Sequence, residues 1–106
     1  MAARSHTVGS ILRRQAAARG ARPLLVCDDD RLSYTDAERR SAQLARGLIA
    51  LGAGKGTHVG LLYPNGGEFV AATLAAARIG AVVIPYTTFA TTTELGRQLA
   101  HSDTAI

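Results

Sequence analysis

The run at residues 59–87, VGLLYPNGGEFVAATLAAARIGAVVIPYT, limits the fold more than any other part of this chain. It opens on an almost unbroken apolar stretch, Val59, Leu61 and Leu62, of the kind that suits a parallel strand covered on both faces. Pro64, Asn65, Gly66 and Gly67 then turn the chain. Asn65 is placed to cap the helix that follows, and Glu68 falls in its first turn, where a carboxylate suits the helix dipole. Phe69, Val70, Thr73, Leu74 and Ala77 form the expected buried stripe. Ala71, Ala72, Ala75 and Ala76 are small enough to let this helix lie close to a sheet. Gly80 ends it, and residues 81–84 read as a second buried strand closed by Pro85. A helix between two buried strands implies a right-handed parallel crossover, so the fold class is α/β with a parallel-sheet βαβ unit.

Ahead of this unit the pattern is an amphipathic helix and a β-hairpin. Val8, Ile11, Leu12 and Ala16 give residues 7–19 an apolar stripe that Gly20 stops. Residues 23–27 read as a strand, Asp28, Asp29 and Asp30 as a solvated turn, and residues 31–34 as the returning strand. Three consecutive acids raise the question of a metal site. Consecutive side chains in a turn diverge, however, and no further ligand follows at EF-hand spacing. Thr35 opens a second helix through a capping box with Glu38. Ala37, Ser41, Leu44, Ala45, Leu48 and Leu51 then share one face before Gly52.

Residues 52–57, GAGKGT, mimic a phosphate-binding loop without meeting its requirements. A Walker A motif needs a glycine five positions before its Gly-Lys pair and a Ser or Thr directly after it. Here those positions hold Ile49 and Gly56. The segment also leaves a helix and enters a strand, the reverse of the order that aims a helix N-terminus at phosphate. It is read as a turn. Beyond Pro85, a hydroxyl-rich loop with Tyr86, Thr87, Thr88 and Phe89 leads to another capping box, Thr91 with Glu94. Leu95, Leu99 and Ala100 give a short helix face that runs to about His101. Ala105 and Ile106 read as a third parallel strand just begun. On this reading the subdomain is partial and truncated, with sheet edges left bare.

Composition narrows the function classes. In 106 residues the net charge is +4, carried by arginine, with Lys55 the one lysine. The arginines are scattered and no aromatic residues alternate with them, so nucleic-acid binding is not expected. Cys27 alone makes no disulfide framework, and His6, His58 and His101 lack metal-ligand spacing. No apolar run approaches the ~20 residues that span a bilayer, and the cytoplasm is the expected location.

From about Pro23 to its end the chain resembles the AMP-forming adenylating enzymes, which include acyl-CoA synthetases, adenylation domains and luciferases. The resemblance is carried by an ordered series. RLSYTDAE opens a helix, GAGKGTHV leads into a strand ending at Pro64 and Asn65, and GEFVAATLAAARIGAV leads into a strand ending at Pro85. TTTELGRQL and SD follow. Thr88 and Phe89, in place of the common Asn-Pro, are closest to fatty-acid and related acyl-CoA ligases. The resemblance implies that residues 1–106 are the N-terminal part of a larger synthetase domain, with a leading helix at 1–22 and the matching region at 23–106. It implies a parent enzyme that uses ATP, Mg2+ and CoA. Such an enzyme converts a carboxylic acid to an acyl-adenylate with release of pyrophosphate, then passes the acyl group to the thiol of CoA or of a carrier.

The family's Ser/Thr/Gly-rich phosphate loop, its acidic ribose and metal contact, and its catalytic lysine have no counterpart in these residues. Lys55 sits in the wrong motif. The resemblance therefore assigns no catalytic residue and no metal ligand to this chain, and makes the rest of the enzyme its natural packing partner. It does imply one ligand contact. In related acyl-CoA synthetases the loop after the GAV..P strand approaches the CoA nucleotide, which maps onto Thr87, Thr88 and Phe89. That loop leaves the carboxyl end of a parallel strand, where α/β ligand sites form. The plainer reading is a solvated loop with Phe89 packed beneath it. Two other classes stay open: a free-standing, non-catalytic binding module derived from the family, and a different Rossmann-like nucleotide binder.

Overall fold

A computed structural model describes residues 7–106, so His6 and the start of the leading segment lie outside the described residues. The elements run α1 (Val8–Arg19), β1 (Pro23–Cys27), β2 (Asp30–Ser33), α2 (Tyr34–Ala50), β3 (His58–Leu61), α3 (Gly67–Arg78), β4 (Val82–Pro85) and α4 (Thr92–Ser102). β1 and β2 pair antiparallel, and β3 and β4 pair parallel with His58 opposite Val82 and Leu61 opposite Pro85. The expected hairpin and βαβ unit are both present, but the strands are not covered on both faces as expected: β4 holds no buried residue, Val82 is exposed, and Leu62 lies past β3 and is exposed. Ala105 and Ile106 form no assigned strand, but they extend the parallel pair on the far side of β3. The Ala105 N–H donates to the His58 carbonyl at 2.9 Å, and the Gly60 N–H donates to the Ile106 carbonyl at 2.8 Å.

α2 and α3 form the spine of the molecule, and small residues set how closely they approach. On α2 the buried positions are Ala37, Ser41 and Ala45, and on α3 they are Gly67, Ala71, Ala72, Ala75 and Ala76. Each set recurs every four residues, the row along which helices interdigitate. The expected stripe on α3 is therefore corrected: the alanines occupy the seam, Ala77 is exposed, and Phe69, Val70 and Leu74 flank it half-buried. Leu44 of α2 and Leu51, just past its end, are likewise exposed rather than buried. On α1, Leu12 alone of the apolar stripe enters the core, while Val8 and Ile11 stay exposed.

Two apolar clusters lie at either side of this spine. Leu12, Leu32 and Ala37 make the first, with Leu24, Leu25, Val70 and Leu74 against them. Val59, Leu61 and Ala72 make the second, joined by Leu48, Phe69, Ala81 and Val83. α3 contributes to both, so the hairpin and the parallel pair are held in one register by a single helix.

The helix starts differ from expectation in an instructive way. The N-cap of α2 is Ser33, whose side chain accepts from the Asp36 N–H at 3.0 Å, and Thr35 lies inside the helix. The N–H groups of Tyr34 and Thr35 are already bound by the carbonyls of Arg22 and Gly20, at 3.1 Å each. With its first amides satisfied by the loop after α1, the helix needs no cap at Thr35. Glu38 is then free to pair with Arg78 of α3, at 2.7 and 3.2 Å to its two oxygens. The capping box of α4, Thr91 with Glu94, forms as the sequence predicts.

α3 begins with a cap borrowed from another element. Gly66 is its N-cap residue with φ +153 and no side-chain cap bond of its own, so Asn65 does not cap it. Instead the Asp30 carboxylate accepts from the Gly67 N–H at 2.6 Å. A Cβ at Gly66 would lie 2.8 Å from that carboxylate oxygen and one at Gly67 3.1 Å, so the two glycines make room for Asp30. Asp30 thus begins β2 and is not part of a merely solvated turn. Removing this cap with Asp30→Ala is expected to cost about 1 kcal/mol, a fall in Tm of roughly 4–8 °C for a chain of this size. Asp30→Asn should recover part of the loss. Thermal unfolding followed by circular dichroism reads this directly, and an unchanged Tm in Asp30→Ala would contradict the assignment.

Candidate functional site

The parallel register brings the carboxyl ends of β3 and β4 side by side, and the chain leaves both on the same edge of the sheet. After β3 come Leu62, Tyr63, Pro64 and Asn65; after β4 come Tyr86, Thr87, Thr88 and Phe89. Between these two segments lies an open cleft of ≈ 490 Å³. The carboxyl end of a parallel sheet is where α/β proteins place ligands, because the loops are free to vary there while the strands stay fixed.

The cleft collects aromatic residues. The chain has five, and four of them, Tyr63, Phe69, Tyr86 and Phe89, line this space. Phe69 rises from α3 and is half-buried, whereas Phe89 is 94% exposed. Phe89 is therefore not packed beneath its loop, and a bare phenyl face stands at the cleft mouth. The Thr87 hydroxyl accepts from the Phe89 N–H at 3.2 Å, and the Ala90 N–H donates to the Thr87 carbonyl at 3.4 Å, which folds the loop into a tight turn. Thr87, Thr88 and Phe89 are thus brought together, all exposed, on one wall. Flat apolar faces beside hydroxyl groups fit a planar heterocycle that carries polar edges.

The phosphate-loop look-alike is closed to ligands. Its Gly54 N–H donates to the Thr57 hydroxyl at 3.0 Å, its Thr57 N–H to the Gly54 carbonyl at 3.1 Å, and its Gly56 N–H to the Gly80 carbonyl at 2.9 Å. Those amides are spent on the fold and cradle no phosphate. Among the described residues no group of three His, Cys, Asp or Glu side chains converges into an all-protein metal cage. Asp30 is committed to Gly67, and Asp28 sits in the turn with φ +54. No helix among the described residues is long and apolar enough to cross a membrane.

Three polar contacts that hold the elements together have no local sequence signal. Asp30 caps a helix 37 residues away, Arg78 pairs with Glu38 across 40, and His58 Nδ1 meets the Ser102 carbonyl at 2.7 Å across 44. Each joins residues that only the folded chain makes neighbours.

Comparison with known proteins identifies the family and the fold. The family model for AMP-binding enzymes matches residues 12–106. A putative acyl-CoA synthetase of Bacillus subtilis, YngI, is 38% identical over 101 residues, covering 93% of this chain and 18% of that relative. Tyrocidine synthase 3 of Brevibacillus parabrevis is 33% identical over 82 residues, 77% of this chain and 1% of that relative. Among solved structures, the N-terminal domain of FACL13 from Mycobacterium tuberculosis superimposes with a TM-score of 0.83 at 31% identity, over 94% of this chain and 26% of that one. The chain therefore spans a fraction of the length of the relatives it matches. The fold, the ordered motifs and the match over nearly all its residues agree, and they set aside an unrelated Rossmann-like binder: the chain belongs to the AMP-binding enzyme family of adenylating enzymes.

Proposed function

We propose that this chain is the N-terminal, coenzyme-facing segment of an ATP-dependent carboxylic acid:CoA ligase of the AMP-forming type. In such an enzyme the acid becomes an acyl-adenylate and then an acyl thioester, and residues outside these 106 carry the adenylation chemistry. The chain itself contributes the scaffold and one wall of the coenzyme site. The observation that carries this reading is the aromatic cleft at the carboxyl ends of β3 and β4, with Phe89 exposed beside Thr87 and Thr88. An adenine ring can stack on Phe89, and the threonine hydroxyls can meet its polar edge. The acyl-CoA synthetases and ligases among its relatives support CoA as the acceptor.

The test is a titration of the isotopically labelled chain with CoA, followed by amide NMR. Shifts should concentrate in residues 62–69 and 86–90. Base stacking on an aromatic side chain contributes about 1–3 kcal/mol, so Phe89→Ala should weaken binding by roughly five- to 150-fold. Shifts confined to other surfaces, or a Phe89→Ala variant that binds CoA as well as the unmodified chain, would overturn the assignment.

A further inference from the structure

α4 presents a packing problem: none of its residues is buried, and Leu99 on its apolar face is exposed. Its attachment is polar and sits at its last residue. The Ser102 hydroxyl and the Thr104 hydroxyl are 2.8 Å apart, and both bond the Tyr86 phenol, Thr104 at 2.5 Å. The Ser102 carbonyl accepts from His58 Nδ1 at 2.7 Å. Three hydroxyls and one imidazole thus hold the end of α4 to the sheet.

Tyr86 is the centre of this cluster. It is the first residue beyond β4 and is 8% exposed. Its ring lies over Gly60 of β3, where a Cβ would come within 2.8 Å of Tyr86 Cε2 and 3.0 Å of Thr104 Cγ2. A glycine at this point makes room for the ring, whose phenol reaches the two hydroxyls. On one side Tyr86 lines the aromatic cleft, and on the other it lines a gap of ≈ 410 Å³ beneath α4, with Gln98 and His101 opposite. The next three residues, Thr87, Thr88 and Phe89, are the cleft wall. Tyr86 therefore borders the cleft through its place in the chain, and its phenol reaches the attachment of the helix.

We infer that Tyr86 is a positioning residue whose phenol works as a latch. Bonded to Ser102 and Thr104, it fixes where α4 stands and the direction in which the Thr87–Phe89 loop leaves the sheet. The affinity of the cleft then depends on a contact that touches no ligand. The coupling to affinity rests on the coenzyme reading above, while the latch itself is readable without any ligand.

The variant that isolates the latch is Tyr86→Phe, which keeps the ring over Gly60 and deletes only the hydroxyl. A second variant, Ser102→Ala with Thr104→Val, removes the partners instead. Hydrogen exchange read by mass spectrometry on the full chain should show amides of α4 and residues 104–106 exchanging about tenfold faster in both variants, as expected when one satisfied cluster is lost. α1, α2 and α3 should be unchanged, and combining the two variants should add little, because both open the same latch. CoA, used as the probe, should bind Tyr86→Phe roughly fivefold more weakly. Unchanged exchange in α4, or acceleration spread equally through α1–α3 as for an ordinary core residue, would overturn the latch. Faster exchange with unchanged CoA affinity would overturn its coupling to the cleft. If the unmodified chain binds no CoA, the coenzyme reading falls, and the exchange data alone decide the latch.

Discussion

Leu32→Ala is expected to destabilise the chain by about 3 kcal/mol, within the roughly 2–5 kcal/mol that truncating a buried leucine costs. Leu32 is completely buried and is one of the two largest side chains that are. It lies where Leu12 of α1, Ala37 of α2 and Val70 and Leu74 of α3 meet the hairpin. Truncation there opens a cavity bordered by four elements, and none can close it without leaving its other contacts. The loss is large against the roughly 5–15 kcal/mol that stabilises a typical domain. Val26→Ala on the same hairpin is the control, since Val26 is 54% exposed and its loss should stay within about 0.5 kcal/mol. Urea unfolding of both variants measures the contrast. A Leu32→Ala midpoint equal to that of Val26→Ala would show that the hairpin does not share a core with the helices.

Glu38→Ala is the second large effect, expected at about 2–3 kcal/mol. Its partner Arg78 has a side chain only 12% exposed, and Glu38 itself is 23% exposed. The guanidinium makes two bonds to the carboxylate and a third, at 3.3 Å, to the hydroxyl of the fully buried Ser41. Losing Glu38 strands a mostly buried cation, and breaking a fully buried pair costs about 3–5 kcal/mol. Partial exposure of Glu38 lets water recover some of that. Replacing both members, Glu38→Leu with Arg78→Met, should return much of the loss, because the penalty belongs to the unpaired charge rather than to the missing attraction. A double-mutant cycle by chemical denaturation tests this, and simple additivity of the two single losses would contradict it.

The sequence made the architecture legible wherever a signal was local. The apolar runs of β3 and β4, the helix between them and the Thr91 capping box lie where the pattern puts them. The same capping pattern misleads at Thr35 and Glu38. There the α1–β1 loop binds the first amides and shifts the cap to Ser33, and Glu38 turns to Arg78. On α3 the large apolar residues point to the wrong seam, because close approach to α2 rewards alanine over Val and Leu. At the candidate site, Thr87, Thr88 and Phe89 are found on a cleft wall, and the exposure of Phe89 differs from the packed alternative. The other cleft aromatics, Tyr63, Phe69 and Tyr86, are scattered in sequence and gather only through the parallel register of β3 and β4.

The central claim is that these residues form a family scaffold with a coenzyme wall, while the adenylating chemistry lies in other parts of such enzymes. Pyrophosphate release tests it most directly. With ATP, Mg2+ and a panel of aliphatic and aromatic carboxylic acids, the 106-residue chain should release pyrophosphate no faster than the protein-free mixture. Release that depends on the carboxylic acid, from this chain alone, would contradict the account.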